Sequence, residues 1–256
     1  MRGAADPQEV ERWCVKPGYR ENPAPRSFDR EQGALYWTEE RLAAASFFQY
    51  PVYLLCRDLL RSRGARSFLD VGSGPGTKLA ELIAPLCSDL VLVDQPSSRE
   101  IVARELPSRV FHGADLDALD LDLGRGFDLI VCADVLEHLV DPWSVVRDLR
   151  RIAQAETRLA VSIPSIRFLP ALARIAVGRG FAYEEMGIFD STHLRFFTRR
   201  DADLMLRRGG WEPQRWGAPP FGRLGSVRRL AHRSTRGRSD EWLAAQMFVV
   251  ARPVAG

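Results

Sequence analysis

Lysine is almost absent: Lys16 and Lys78 are the only lysines among 36 basic residues, and the other 34 are arginines. A GC-rich coding sequence produces such a bias by itself. Cysteine is also scarce. Cys14, Cys56, Cys87 and Cys132 form no C-x-x-C pair and do not cluster with histidine, which argues against a disulfide framework or a zinc knuckle and for a reducing compartment. No stretch reaches the roughly 18 consecutive apolar residues of a membrane-spanning helix. The opening MRGAADPQEVERW lacks the apolar core of a secretory signal, so the cytoplasm is the expected location. The four histidines (112, 138, 193 and 232) show neither H-x-H nor H-E-x-x-H spacing, so no metal centre is expected. There is no G-x-x-x-x-G-K-[ST] phosphate loop and no internal repeat.

What remains is a globular composition. The chain has 256 residues, 46% hydrophobic and 27% charged, enough for one large domain or a domain with an appendage. The net charge of +3 conceals a division. Residues 191–256 carry 13 Arg against 5 Asp and Glu, a net of +8, and the rest of the chain has a net of −5.

Residues 1–64 read as a proline-interrupted arm followed by a helical cap over 38–63, with Pro51 expected to break or kink the helix. From 65 onward short apolar runs alternate with amphipathic stretches. Ser67–Val71, Leu90–Asp94, Arg109–His112, Phe127–Cys132 and Arg158–Ile163 are strand candidates. Helices are expected over 77–85, 98–106 and 142–153. Near-continuous Val, Ile and Leu strands separated by helices indicate a doubly wound α/β fold with a mostly parallel sheet. A helix over 198–208 and strands over 211–216 and 244–252 close the chain. The apolar segment 166–190 has the place of a lid. Residues 217–243 form a Pro-, Gly- and Arg-rich insertion, long for a hairpin loop.

The most informative segment is FLDVGSGPG, residues 68–76. A buried strand ends in Asp70 and runs into Gly72, Gly74 and Gly76, where missing Cβ atoms permit a sharp turn and close approach of a ligand. Such a turn can also be purely structural. The G-x-G-x-G spacing departs from the dinucleotide pattern G-x-G-x-x-G, and Asp70 would repel a pyrophosphate but suits an ammonium group. Asp94, at the end of the second strand, is placed to accept hydrogen bonds from ribose hydroxyls, or merely to cap the following turn. After the third strand, Asp115 suits an exocyclic adenine amine, with Leu116 covering the ring. Three acids at the ends of three successive parallel strands share one sheet edge, where α/β folds bind ligands.

FLDVGSGPG, VLVDQP, GADL and FDLIVCADVLEHLVDP resemble the motifs of class I S-adenosylmethionine-dependent methyltransferases, closely over residues 65–165. The resemblance implies a seven-stranded sheet whose last strand is antiparallel, and S-adenosyl-L-methionine as cofactor. By position it implies that Gly72, Gly74 and Gly76 line the methionine and ribose. Asp70 then approaches the amino group, Asp94 binds the ribose, and Asp115 with Leu116 binds the adenine. The stretch 132–134, with Ala133 at its centre, would pass beside the methyl group. The block DSTHLRFFT, residues 190–198, is similar to one in a bacterial small-molecule branch of the same superfamily.

Methyl transfer is an in-line displacement in which the protein mainly aligns a nucleophile and excludes water; a hydroxyl nucleophile also needs its proton removed. His193, with Asp190 to orient it, is the candidate base, and a structural polar cluster is the competing reading of that block. His138 reads as a wall of the cofactor site. Thr198 and Asp201 read as a capping box that starts a helix. The expected reaction is O-methylation of a small molecule. N- or C-methylation and a non-catalytic nucleoside-binding module stay open. A nucleic-acid acceptor is disfavoured, because ADVL stands where a base-flipping enzyme would want an NPPY-type tetrad. The basic insertion is either a solvated face or the recogniser of an anionic acceptor.

Overall fold

A computed structural model describes residues 39–74, 79–99, 110–114, 116, 126–179, 181, 183–184, 186–219 and 225–254. Helix α1 (Glu39–Arg63) leads into seven strands: β1 (Ser67–Val71), β2 (Asp89–Asp94), β3 (Val110–Gly113), β4 (Leu129–Ala133), β5 (Arg158–Pro164), β6 (Trp211–Gly217) and β7 (Gln246–Pro253). The order across the sheet is β3-β2-β1-β4-β5-β7-β6. β1 to β5 pair in parallel, and β7 runs antiparallel to both β5 and β6. The order reverses between β1 and β4, which places the ligand crevice of an α/β sheet at the C-terminal ends of those two strands.

The central strands are apolar on both sides because both faces are covered. One face carries Phe68, Leu92, Val131 and Ala160 beneath Val52, Tyr53, Cys56 and Leu60 of α1. The other is covered by α2 (Pro142–Arg151) and α4 (Arg199–Arg208). Their Val145, Val146, Leu149, Met205 and Leu206 pack against Leu69, Ile130 and Val161. Trp211, wholly buried, donates its indole N–H to the Val146 carbonyl at 2.9 Å, so its one polar atom is satisfied.

Three local expectations change. α1 runs unbroken through Pro51. Its second half is a core helix, and the apolar surface it buries outweighs the roughly 3 kcal/mol that an interior proline costs. The helix expected over 77–85 is a π turn (Leu79–Ile83) followed by a 3-10 turn (Ala84–Leu86), and residues 75–78 lie outside the described residues. The insertion 217–243 contains helix α5 (Gly225–Thr235) and helix α6 (Asp240–Leu243) where a loop was expected. Between β5 and α4, the segment expected as a lid holds α3 (Leu169–Arg174), which continues as a π turn over Ile175–Arg179. The capping box forms as the sequence implies: Thr198 Oγ1 accepts from the Asp201 N–H and the Asp201 carboxylate from the Thr198 N–H. Among the described residues no helix is long and apolar enough to cross a membrane.

Candidate functional site

The turn after β1 is built on glycine. Gly72 (φ +74°) and Gly74 (φ +53°) both occupy the left-handed region that side-chain-bearing residues avoid. The Gly72 N–H donates to the Val93 carbonyl at 2.7 Å, which ties the turn to the end of β2. A Cβ on Gly72 would meet Val135 Cγ2 at 2.3 Å, so the turn after β4 presses directly on the glycine loop. Gly76 and Asp115 lie outside the described residues. Leu116 is buried in the same core as Val93.

Asp70 is completely buried, with Oδ2 accepting from Tyr53 Oη at 2.6 Å and Oδ1 unpartnered. Burial pushes its carboxyl up to about 8; the Tyr53 hydrogen bond pulls against that rise, and the neighbouring Asp94 adds to it. Asp94 accepts from the Gly74 N–H at 2.5 Å and the Gln95 N–H at 2.6 Å. Burial raises it to about 6 in spite of these bonds and one from Ser98. With three donors on its four lone pairs, the Asp94 carboxylate keeps one for a further donor. Two adjacent buried acids, one with an orphaned oxygen, form a site suited to a cationic ligand that also carries hydroxyl donors. S-adenosylmethionine, with its ammonium and sulfonium charges and its ribose, fits that donor set. Tyr53 was not singled out by sequence, because helical periodicity marked its neighbours simply as core. Its position facing the end of β1 is a tertiary fact.

At the end of β4, Ala133 is buried and its carbonyl accepts from Gln49 Nε2 at 3.1 Å. Asp134 follows with φ +55°, its carboxylate held by Ser162 Oγ at 2.9 Å and by Gln246 Nε2 at 2.6 Å. The 3-10 turn Leu136–His138 comes next. Its Glu137 carbonyl accepts from the N–H groups of Leu194 and Arg195 at 2.8 and 2.9 Å, which binds the 190–198 block to the same sheet edge.

That contact brings two distant histidines together: the His138 and His193 ring centroids are 4.6 Å apart, edge to face. His193 is 7% exposed, and its Nδ1 lies 3.0 Å from the Ile188 carbonyl oxygen. A carbonyl only accepts, so the neutral ring carries its proton on Nδ1 and its lone pair on Nε2. Asp190, expected to orient His193, accepts from the Thr192 N–H at 2.8 Å and from Thr192 Oγ1 at 2.7 Å. Thr192 Oγ1 in turn lies 3.0 Å from His138 Nδ1, so the ring that Asp190 reaches through Thr192 is His138. To His193 it is joined through the backbone, by the His193 N–H donating to the Asp190 carbonyl at 3.0 Å. Arg195 donates Nη1 and Nη2 to the carbonyls of Leu194 and Val140, and its buried Nε has no partner. Glu137, beside both rings, is 1% exposed and has no partner for either carboxylate oxygen. Sequence reading passed over it, since nothing in DVLEHL says which way the acid points.

Comparison with known proteins agrees with this geometry. A family model described as a methyltransferase domain matches residues 41–215. The chain belongs to that family. S-adenosylmethionine is accordingly its cofactor, and the chemistry of Asp70, Asp94 and the glycine turn is compatible with holding it. A ubiquinone biosynthesis O-methyltransferase of Albidiferax ferrireducens is 34% identical over 85 residues, covering 31% of this chain and 33% of that protein. The chain spans about a third of the length of the curated relatives it matches. Among solved structures, an O-methyltransferase family protein from Burkholderia thailandensis superimposes with a TM-score of 0.60 at 17% identity, over 93% of this chain and 66% of that one. A methyltransferase from Clostridium acetobutylicum superimposes with a TM-score of 0.58 at 13% identity, over 85% of this chain and 99% of that one. At these identities the likeness is one of fold.

Proposed function

We propose that the chain transfers a methyl group from S-adenosylmethionine to a hydroxyl of a small, anion-bearing acceptor, with His193 taking the hydroxyl proton. The cofactor supplies an activated methyl on a cationic sulfur; the protein has to hold the acceptor in line and exclude water. The observation that carries the reading is the contact of His193 Nδ1 with the Ile188 carbonyl, which leaves Nε2 as the basic nitrogen of the neutral ring, in a block that Glu137 ties to the turn after β4. An amine acceptor could arrive with its lone pair already available. A hydroxyl needs a base there.

The segment 166–190 is read as the lid. Arg174 pairs with Glu184 and stacks 4.9 Å over the Phe189 ring, and Phe181 meets Tyr183, Phe189 and Phe196 edge to face. These aromatics suit an apolar acceptor body. The arginines of the basic insertion suit its charge. Asp190 acts here as a positioning group, through Thr192 and His138.

The test is a methyl-transfer assay with labelled cofactor against matched panels of phenols, alcohols and amines. Hydroxyl acceptors should be labelled, and His193→Gln should lower kcat by about 10²–10⁴-fold, the usual worth of a positioned base, while leaving the cofactor Kd unchanged. Near-normal turnover by a folded His193→Gln chain removes the assignment, and labelling confined to amines removes O-transfer.

A further inference from the structure

Glu137 is a buried titratable group that the reading above leaves without a task. It sits at the turn after β4 with both carboxylate oxygens unpartnered, although its backbone is fixed by Leu194 and Arg195. One oxygen of Glu137 and one ring nitrogen each of His138 and His193 all lie within 4.8 Å of one another. An isolated buried carboxylate is strongly disfavoured, so this one must hold a proton or face a cation. The two imidazoles beside it are the groups that can become that cation.

We propose that Glu137 is a positioning residue of the base: the proton taken from the acceptor is held jointly by His193, His138 and Glu137, whose carboxylate compensates the imidazolium charge. The proposal rests on the reading of His193 as base and deepens it. In the transfer step the acceptor oxygen bonds to the methyl carbon as the carbon–sulfur bond breaks, and sulfur keeps that electron pair. The acceptor's proton passes to His193 Nε2. His193, Glu137 and Asp190 are all buried, whereas His138 is half-buried and reaches the half-buried Thr192. His138 is therefore the path by which the proton leaves.

Other charged groups face the cluster from the elements around it. Asp134 follows β4 and Asp190 lies on the loop that carries Thr192, the Arg195 guanidinium donates to the Val140 carbonyl, and the titratable Cys132 thiol on β4 stays neutral because burial pushes it up. Burial above all, then Asp134 and Asp190, raises the Glu137 carboxyl well beyond its usual range. The three acids favour a protonated ring and Arg195 opposes it. The same three atoms could be asked to hold a divalent ion. Metal bonds of about 2.1 Å in a tetrahedral site would need the ligand atoms about 3.4 Å apart, and metal retention by the wild type is the outcome that decides for that alternative. A proton needs only one of them at a time.

The experiment is an NMR titration of the histidine rings of the full chain, with chelator present and resonances assigned through His138→Gln and His193→Gln. An opposite charge within about 4–6 Å moves a pKa by 1–3 units, so Glu137→Gln should lower the proton affinity of the pair by about tenfold or more. The acidic limb of kcat should move to lower pH by the same amount, with the cofactor Kd unchanged. His138→Gln should displace the His193 titration, because coupled groups titrate as a unit. This second variant gives the answer even if Glu137→Gln does not fold. Histidine titrations that ignore both substitutions overturn the proposal, and so does one equivalent of divalent metal retained by the wild type and lost from Glu137→Gln. A chain that methylates no hydroxyl acceptor would instead sink the base reading and leave the titrations standing.

Discussion

In the proposed cofactor site, Asp70 is the acid whose charge state can be tested against ligand charge. Its folded-state carboxyl titrates at about 8, far above the ordinary carboxylate range, with burial as the main cause. An acid whose pKa rises on folding keeps a proton that the unfolded chain gives up. Its contribution to stability is therefore largest at low pH and is lost as pH climbs from about 4 to 8. A cationic ligand reverses this by favouring the carboxylate and expelling the proton. Affinity for S-adenosylhomocysteine, which keeps the ammonium, should rise by up to tenfold per pH unit between pH 6 and 8, as measured by calorimetry. Asp70→Asn should bind more weakly and show no such slope. At this scale the sequence was most legible where chemistry and chain direction coincide. Asp70 and Asp94 end strands that the apolar runs define, so their neighbourhood could be inferred. Tyr53, Glu137 and the Thr192–His138 bond depend on contacts spanning 17 to 58 residues, and no local pattern encodes them.

Elements were legible in proportion to their periodicity. The strands and α4 emerge where apolar runs or a capping box mark them. The run through Pro51 and the helices of the insertion do not, because packing against the sheet overrode the local signals. The glycine turn lies between these cases: its residues are read from sequence, but the need for them comes from Val135. In Gly72→Ala the new Cβ would stand 2.3 Å from Val135 Cγ2 and the residue would keep a φ of +74°. Strain at such a position costs about 1–3 kcal/mol, and moving Val135 disturbs the turn that carries Glu137 and His138. Urea unfolding should show that loss of stability, and calorimetry should show cofactor affinity reduced by at least tenfold. A change in stability alone would mean that Val135 gives way without altering the loop.

For the whole molecule the charge division takes a structural form. The basic insertion is folded and anchored by its few acids. Asp240 pairs with His232 at 2.8 Å, and Glu241 binds Arg167 at 3.1 Å and the Arg199 N–H at 3.3 Å. Arg167 begins the segment read as the lid, so the anchor joins the insertion to the acceptor side of the sheet. Arg233, Arg236 and Arg238 are exposed and stand apart from these anchoring pairs. Their replacement by glutamine should leave the urea midpoint nearly unchanged, since surface substitutions usually move stability by less than about 0.5 kcal/mol. If they attract the acceptor's anion, the triple variant should raise KM severalfold for an acidic acceptor while kcat stays level, and a neutral analogue should be indifferent. Salt should imitate the substitution. The screening length falls from about 10 Å at 0.1 M to about 3 Å at 1 M, so wild-type KM should climb towards that of the variant as sodium chloride is added, and the variant's own KM should hardly move. A wild-type KM that ignores salt would leave these arginines as a solvated face and return acceptor choice to the aromatics of the lid.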